Sequence, residues 1–150
     1  MIHNLLQTDA DFIYLFVRVI AGLTIFPYGM QKLMGWFEDF GGGVGIRSTL
    51  LRMREKKIPL WLAWLIIIGQ SAGSVALILG FLGRIAAGAN FIIFTGALLV
   101  HAPDGWIMNW TGKKKGEGIE YFILLLSLLL IVIIKGSGPL SIDRWLFAMH

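Results

Sequence analysis

Four residues of the types that bind polar ligands and move protons are expected to meet at one end of the folded chain. They are an amide, an ammonium, an imidazole and a carboxylate: Gln31, Lys32, His101 and Glu120. Such a set at the mouth of a helical bundle could bind an oxygen-bearing head group such as a quinone carbonyl. Glu120 or His101 could then transfer protons. The alternative is that Lys32 and Glu120 only neutralise each other.

Four apolar blocks must position these residues. The chain is 57% hydrophobic and 15% charged, whereas a soluble domain is roughly 45–50% apolar and 25% charged. The excess is concentrated in blocks of the length that crosses a bilayer as a helix. We therefore predict a single membrane domain over 1–150, with spans at about 11–33, 59–80, 84–101 and 119–135.

The connections between the blocks determine the arrangement of the helices. The turn at 81–84 is so short that the second and third helices must be antiparallel neighbours. This predicts an all-α fold, an integral membrane four-helix antiparallel bundle. Both long loops then lie at one end of it, and both termini lie at the other.

The first long loop has two parts. Residues 46–57 place apolar side chains among five cations, which predicts a short amphipathic helix at the interface, with its cations on anionic lipid. The glycine-rich segment 41–45 before it follows no strand and lacks the Gly-Lys-Ser/Thr ending of a phosphate loop. We expect that segment to be a flexible link.

Three charged residues are expected to have structural roles at the other end: Arg18, Arg84 and Asp143. We expect Asp143 to pair with Arg18 or Arg84 and to tie the C-terminal segment back onto the bundle. Gly22 and Gly29 share the stripe of the first helix that carries Arg18. Small residues on such a stripe favour close packing of membrane helices.

Composition excludes several classes of function. The chain has no cysteine, which excludes disulfides, thiolate metal sites and iron–sulfur clusters, so redox chemistry would need a bound cofactor or a partner. No metal site and no covalent cofactor are predicted. The basic residues gather in the connecting segments, which indicates lipid headgroups and not nucleic acid as their partner.

The distribution of Lys and Arg also predicts an orientation. Nine of them belong to the long-loop end, and three lie near the other end. Because cytoplasmic loops carry an excess of positive charge, we expect the long loops in the cytoplasm and both termini outside.

Short motifs follow one another in order from about residue 17 to residue 146. They are Gly29-Met30-Gln31-Lys32-Leu33-Met34-Gly35, Ile58-Pro59, Gly80-Phe81-Leu82-Gly83-Arg84-Ile85-Ala86-Ala87, His101, Gly118-Ile119-Glu120-Tyr121 and Gly136-Ser137-Gly138-Pro139-Leu140-Ser141-Ile142-Asp143. In this order and spacing they resemble the DoxX family of small bacterial and archaeal membrane proteins.

The resemblance implies a four-helix protein of the bacterial or archaeal cytoplasmic (inner) membrane. It also implies a subunit or partner of membrane oxidoreductases, including a thiosulfate:quinone oxidoreductase and terminal-oxidase-associated proteins. We therefore expect the protein to lie in the lipid bilayer, to have a protein partner in a membrane complex and to bind a quinone. The formation of a homo-oligomer is a further possibility.

Two positions depart from the pattern of the family. Where the family usually has a histidine before the glycine of the first helix, this chain has Tyr28. Where the family usually has a glutamate in the second helix, this chain has Gln70. Both are candidate ligand-binding residues, and Glu120 remains the one candidate for a buried acid. The departures favour an alternative, in which the protein is a non-catalytic membrane assembly or anchoring protein.

Overall fold

The computed structural model describes residues 7–38 and 42–149, and no strand occurs in these ranges. Six α-helices lie in them: α1 (Phe12–Met34), α2 (Gly45–Glu55), α3 (Leu60–Leu79), α4 (Gly83–His101), α5 (Glu120–Lys135) and α6 (Ile142–Ala148). A 3₁₀ turn, Ala102–Asp104, follows α4. The prediction of an all-α fold is confirmed. Gly41 of the glycine-rich segment lies outside the described residues.

In the part of the chain that the structure describes, three helical segments are long and apolar enough to cross a membrane. They are Phe12–Met34, Leu60–Leu79 and Gly83–Asp104. Helix α5 has 16 residues, or about 24 Å at 1.5 Å of rise per residue, against a hydrocarbon core of about 30 Å. The fourth predicted span is therefore the shortest of the long helices.

The local sequence explains where α1 and α3 begin and end. The Asp11 carboxylate accepts a hydrogen bond of 3.0 Å from the backbone N–H of Ile13 and so caps the start of α1. Helix α1 ends at Gly35, and α3 ends at Gly80; their φ angles are 74° and 67°. Glycine adopts this left-handed conformation without steric cost. Pro59 directly precedes α3, where no backbone N–H is required.

Glycine allows α1 and α3 to approach closely, and these two helices share the most extensive interface. A Cβ atom at Gly29 would overlap the backbone of Gln70 and Ser71. A Cβ atom at Gly22 would lie 2.8 Å from the side chain of Ile78. The expectation that these glycines serve close helix packing is confirmed.

The four long helices form a closed ring of contacts. Helix α1 packs against α3 and α5, and α4 packs against the same two helices. Their shared core consists of small, aliphatic and aromatic side chains, including Ala21, Ile25, Leu77, Phe94, Leu125 and Leu129. Packing of this core places the end of α1, the end of α4 and the start of α5 around a common opening.

Helix α2 packs against α1 and α3. Thr49 and Met53 are its buried residues, whereas the cations Arg47, Arg52 and Arg54 are exposed. The segment predicted to be an amphipathic helix is therefore a helix with one buried face and one basic face.

Arg18 is buried inside the protein, with 1% of its surface exposed. Its Nη1 donates to the carbonyl oxygens of Leu77 at 2.9 Å and Ile78 at 3.0 Å. Its Nη2 donates to the carbonyl oxygen of Leu140 at 3.3 Å. The guanidinium thus satisfies the free carbonyl groups at the C-terminal end of α3, where a cation is favourable.

Asp143 ties the C-terminal segment to the start of α4. Its carboxylate accepts hydrogen bonds from the backbone N–H groups of Leu82 at 2.6 Å and Gly83 at 2.9 Å, and from the Ser137 hydroxyl at 2.6 Å. Among the described residues, it forms no ion pair with Arg18 or Arg84, in contrast to the expected pairing. A carboxylate binds a helix N-terminus because the first backbone N–H groups of the helix have no intrahelical partner.

Arg84 connects α4 to two other segments at the same end of the bundle as Asp143. Its Nη1 donates to the carbonyl oxygen of Ile133 at 2.9 Å, and its Nη2 donates to that of Gln7 at 3.1 Å. Arg18, Arg84 and Asp143 therefore all bind the backbone of other segments, which is a structural role.

Candidate functional site

A partly open cavity of about 630 Å³ lies at the end of the protein where the long loops are. Helices α1, α3, α4 and α5 all contribute to it. Its polar lining residues are Tyr28, Lys32, Gln70, His101, Glu117 and Tyr121, and its apolar walls include Phe94, Ala97, Met108 and Phe122. Most small-molecule sites have this volume range and this combination of apolar walls with a few polar groups.

Two tyrosines form one wall of the cavity. Tyr28 comes from α1 and Tyr121 from the first turn of α5, and their ring centroids are 6.1 Å apart. The hydroxyl of Tyr121 is buried; it interacts with the side chain of Tyr28, but no hydrogen bond of normal geometry to a described residue satisfies it. Because a buried hydroxyl usually has a partner, this group is suited to donate a hydrogen bond to a ligand.

Gln70 presents a second buried polar atom at the cavity. The residue is 6% exposed, and its Oε1 has no hydrogen-bond partner among the described residues. A side-chain amide oxygen accepts hydrogen bonds from hydroxyl or amino groups. Gln70 and Tyr121 thus line the same cavity, one with a side chain that contains an acceptor and the other with a side chain that contains a donor.

Lys32 provides the positive charge of the site. It is 8% exposed, and its Nζ donates to the carbonyl oxygen of Tyr28 at 3.3 Å. The same ammonium lies 5.7 Å from the centroid of the Tyr28 ring, which is the geometry of a cation–π contact. These contacts hold the ammonium at the cavity, where it favours an oxygen acceptor or an anion.

His101 is oriented by a carboxylate and by an aromatic ring. Its Nδ1 lies 2.8 Å from Oδ2 of Asp104, and its ring stacks on Phe122 with centroids 5.5 Å apart and planes 10° apart. The same Asp104 oxygen accepts the backbone N–H of Glu117 at 3.2 Å. In a neutral imidazole the carboxylate keeps the proton on Nδ1, so that Nε2 can accept a proton.

The family model DoxX matches residues 13–102, which is more than half of the chain. The chain belongs to the DoxX family. No curated protein and no solved structure matches the chain. With its three segments of membrane-spanning length, this chain is a membrane protein of the DoxX family.

The matched region holds most of the polar cavity of this DoxX protein. Tyr28, Lys32, Gln70 and His101 lie within it, whereas Glu117 and Tyr121 lie beyond it. The two positions expected to depart from the family pattern, Tyr28 and Gln70, both line the cavity. Four of the six predicted catalytic and ligand-binding residues are therefore brought together.

The other two of the six predicted residues lie elsewhere. Glu120 uses its Oε2 to accept the backbone N–H of Met108 at 3.3 Å and the indole N–H of Trp110 at 3.4 Å, and so binds the second long loop. Gln31 is fully buried and donates from Nε2 to the carbonyl oxygen of Gly43 at 3.0 Å. Both residues hold loops beside the cavity and do not line it.

Three residues at the site were not predicted from the sequence: Asp104, Glu117 and Tyr121. Asp104 follows His101 by three residues, a spacing that can place a carboxylate beside an imidazole. Tyr121 is the one tyrosine of α5, a mainly aliphatic helix, and a buried phenol needs a polar partner. Glu117 carries no comparable local signal, because it belongs to an irregular loop.

Within ranges 7–38 and 42–149, no group of three or more His, Asp or Glu side chains is arranged to hold a metal ion.

Proposed function

We propose that this DoxX protein is a subunit or partner of a redox complex in the bacterial or archaeal inner membrane and that its cavity binds the head group of a quinone. The observation that carries the proposal is an aromatic-walled cavity lined by both Gln70 and Tyr121, whose buried atoms Oε1 and Oη make no hydrogen bond of normal geometry with the described residues. Each such atom costs about 1–3 kcal/mol when it stays unsatisfied. A ligand that satisfies both regains that free energy.

The lining fits the chemistry of a quinone and its quinol. The Tyr121 hydroxyl and the Lys32 ammonium can donate to a carbonyl oxygen, and Gln70 Oε1 can accept from a quinol hydroxyl. Phe94 and Phe122 supply apolar surface for the ring. When bound, the quinone couple would accept or release two electrons and two protons.

The pair of His101 and Asp104 is the candidate path for one proton. With Nδ1 held by Asp104, Nε2 of His101 is the atom that takes up a proton when quinol is oxidised. Asp104 then stabilises the imidazolium that forms. We infer that the electrons pass to a redox group of the protein partner, since the chain has no cysteine pair to relay them.

The proposal includes a placement in the membrane. Helices α1, α3, α4 and α5 cross the bilayer as an antiparallel four-helix bundle, and α2 lies in the headgroup layer with its basic face outward. The long loops face the cytoplasm. Because the chain has no cysteine, single cysteines at Lys113 and at Arg144 can be labelled with membrane-impermeant maleimide in intact cells. Label at position 144 and not at position 113 is expected; the reverse pattern contradicts the orientation.

Quinone binding is tested by extracting the protein, purified in mild detergent, and measuring bound quinone by chromatography. Tyr121→Phe removes a hydroxyl that makes no hydrogen bond of normal geometry with a described residue, so it should leave the melting temperature close to that of the wild type. The same variant should weaken quinone binding about fivefold, because one hydrogen bond is lost. This combination of retained stability and lost binding distinguishes a ligand-binding role from a structural one.

Tyr14→Phe is the matched control. This variant also removes one tyrosine hydroxyl, but Tyr14 does not line the cavity. It should bind quinone as the wild type does. Absence of quinone from the wild-type protein, together with failure to bind added quinone, would refute the proposal.

The second candidate function is a non-catalytic assembly or anchoring protein. It is favoured by the contacts of Gln31, Glu120 and Asp143, which all hold loops or helix ends. Purification with a stoichiometric partner but without quinone would support this function. Purification with neither would contradict both.

A further inference from the structure

A second groove, separate from the polar cavity, lies between α2 and the start of α3. It has a volume of about 480 Å³ and is lined by residues that include Arg47, Leu50, Leu51, Arg54 and Leu60. From these residues we infer that the groove binds one anionic phospholipid, with its phosphodiester on the two arginines and an acyl chain on the leucines. This inference rests on the proposed position of α2 in the headgroup layer.

The spacing along α2 places both arginines beside the groove. Arg47 and Arg54 are seven residues apart, and Leu50 and Leu51 lie three and four residues after Arg47. These offsets share one helix face, and the two arginines are separated by about 10 Å along the axis. A basic residue thus stands at each end of an apolar patch, so that either guanidinium can reach a phosphate above it.

The charge of the groove selects the kind of lipid. Two guanidinium groups line it, and no carboxylate does so among the described residues. Guanidinium binds phosphate oxygens in a bidentate manner. A zwitterionic lipid would bring its own cation into this positive field, so an anionic lipid such as phosphatidylglycerol is the occupant.

The apolar surface explains why the occupant is a lipid and not a free anion. Leu51 is 53% exposed and Leu60 is 63% exposed, which is unfavourable in water. Trp61 and Trp64, next to Leu60, are 65% and 38% exposed. Tryptophan favours the level of the lipid headgroups, so the groove spans the boundary between phosphate and hydrocarbon.

The test is native mass spectrometry of the full-length protein in detergent micelles, titrated separately with dioleoyl phosphatidylglycerol, dioleoyl phosphatidylcholine and inorganic phosphate. The wild type should retain phosphatidylglycerol in preference to phosphatidylcholine. Arg47→Gln combined with Arg54→Gln should weaken this binding by about 30-fold. Lys113→Gln combined with Lys115→Gln removes the same charge from the other long loop and should change it by less than about twofold.

Three results would overturn the lipid site. They are no preference for phosphatidylglycerol in the wild type, equal losses in the two double variants, and full displacement of the lipid by inorganic phosphate. Both arginines are exposed, and neither side chain forms a hydrogen bond or an ion pair with another described residue, so the variants should fold. Arg47→Lys with Arg54→Lys keeps the charge and should retain a lipid preference. Quinone content measured on the same variants should not change, which separates a failure of this site from a failure of the cavity.

Discussion

Removal of the Asp143 carboxylate should destabilise the end of the protein opposite the cavity. Replacement by alanine deletes three hydrogen bonds, from the backbone N–H groups of Leu82 and Gly83 and from the Ser137 hydroxyl. It also leaves the two N–H groups at the start of α4 without a partner. Asp143 itself is 1% exposed, so water does not readily replace the carboxylate.

The expected loss follows from these contacts. An unsatisfied buried donor costs about 1–3 kcal/mol, and bonds to a charged group lie at the upper end of the range. Two such donors and a lost hydroxyl contact give a loss of about 3–5 kcal/mol in the free energy of unfolding. At about 2–4 °C per kcal/mol for a chain of this size, the melting temperature should fall by about 10 °C.

The measurement is thermal unfolding in detergent, followed by circular dichroism or tryptophan fluorescence. Asp143→Asn keeps one oxygen acceptor and should lose less than Asp143→Ala. Asp9→Ala is the control, because Asp9 makes a 3.7 Å pair with Lys135 and its side chain is 41% exposed, so its loss should stay below about 1 kcal/mol. A difference of less than about 2 °C between the melting temperatures of Asp143→Ala and Asp9→Ala would be on the order of the assay error and well below the expected fall. Such a result would show that the capping role assigned to Asp143 is wrong.

Three further variants test the packing and the site. Gly29→Ala should destabilise strongly, by about 3 kcal/mol or more, because its Cβ overlaps the backbone of α3; Gly96→Ala, which faces open space, should be neutral or stabilising in the same melts. Glu120→Gln should change quinone affinity less than about twofold, since the carboxylate binds the second loop; a tenfold loss would show that it acts at the cavity. Asp104→Asn should abolish the single Nδ1–H tautomer of His101 in ¹⁵N spectra of labelled protein; an unchanged spectrum would remove Asp104 from the proposed proton path.

The helices could be predicted from the sequence because their signals are local. Pro59 precedes a helix, glycine ends it at Gly80, and the apolar blocks are long. Gly22 and Gly29 are on the same stripe as Arg18, so their contact with a neighbouring helix was also predictable.

The cavity could be predicted only in part. Tyr28, Lys32, Gln70 and His101 lie within helices whose order fixes the end at which each side chain lies. Glu120 is the first residue of α5, so its direction depends on the loop before it, and no periodicity describes that loop. The sequence therefore predicts Glu120 at the cavity, whereas in the structure its carboxylate holds the second long loop.

The end opposite the cavity shows a second limit of prediction from the sequence. Opposite charges at one end of a bundle suggested an ion pair, but free backbone groups compete for the same side chains. Arg18 binds the carbonyl groups that end α3, and Asp143 binds the N–H groups that begin α4. The tight turn between α3 and α4 leaves these carbonyl and N–H groups without intrahelical partners. A prediction from side-chain charges alone does not include them.

Photolabelling with an azido-quinone is the most direct test of the cavity as a quinone site. The full-length protein in mild detergent would be irradiated with the probe, digested and mapped by mass spectrometry, with and without excess unlabelled quinone. Label that excess quinone removes should map to the end of α1 around Tyr28 and to the start of α5 around Tyr121 and Phe122. Label confined to the groove around Leu51, or label that excess quinone does not displace, would contradict a quinone site in the cavity.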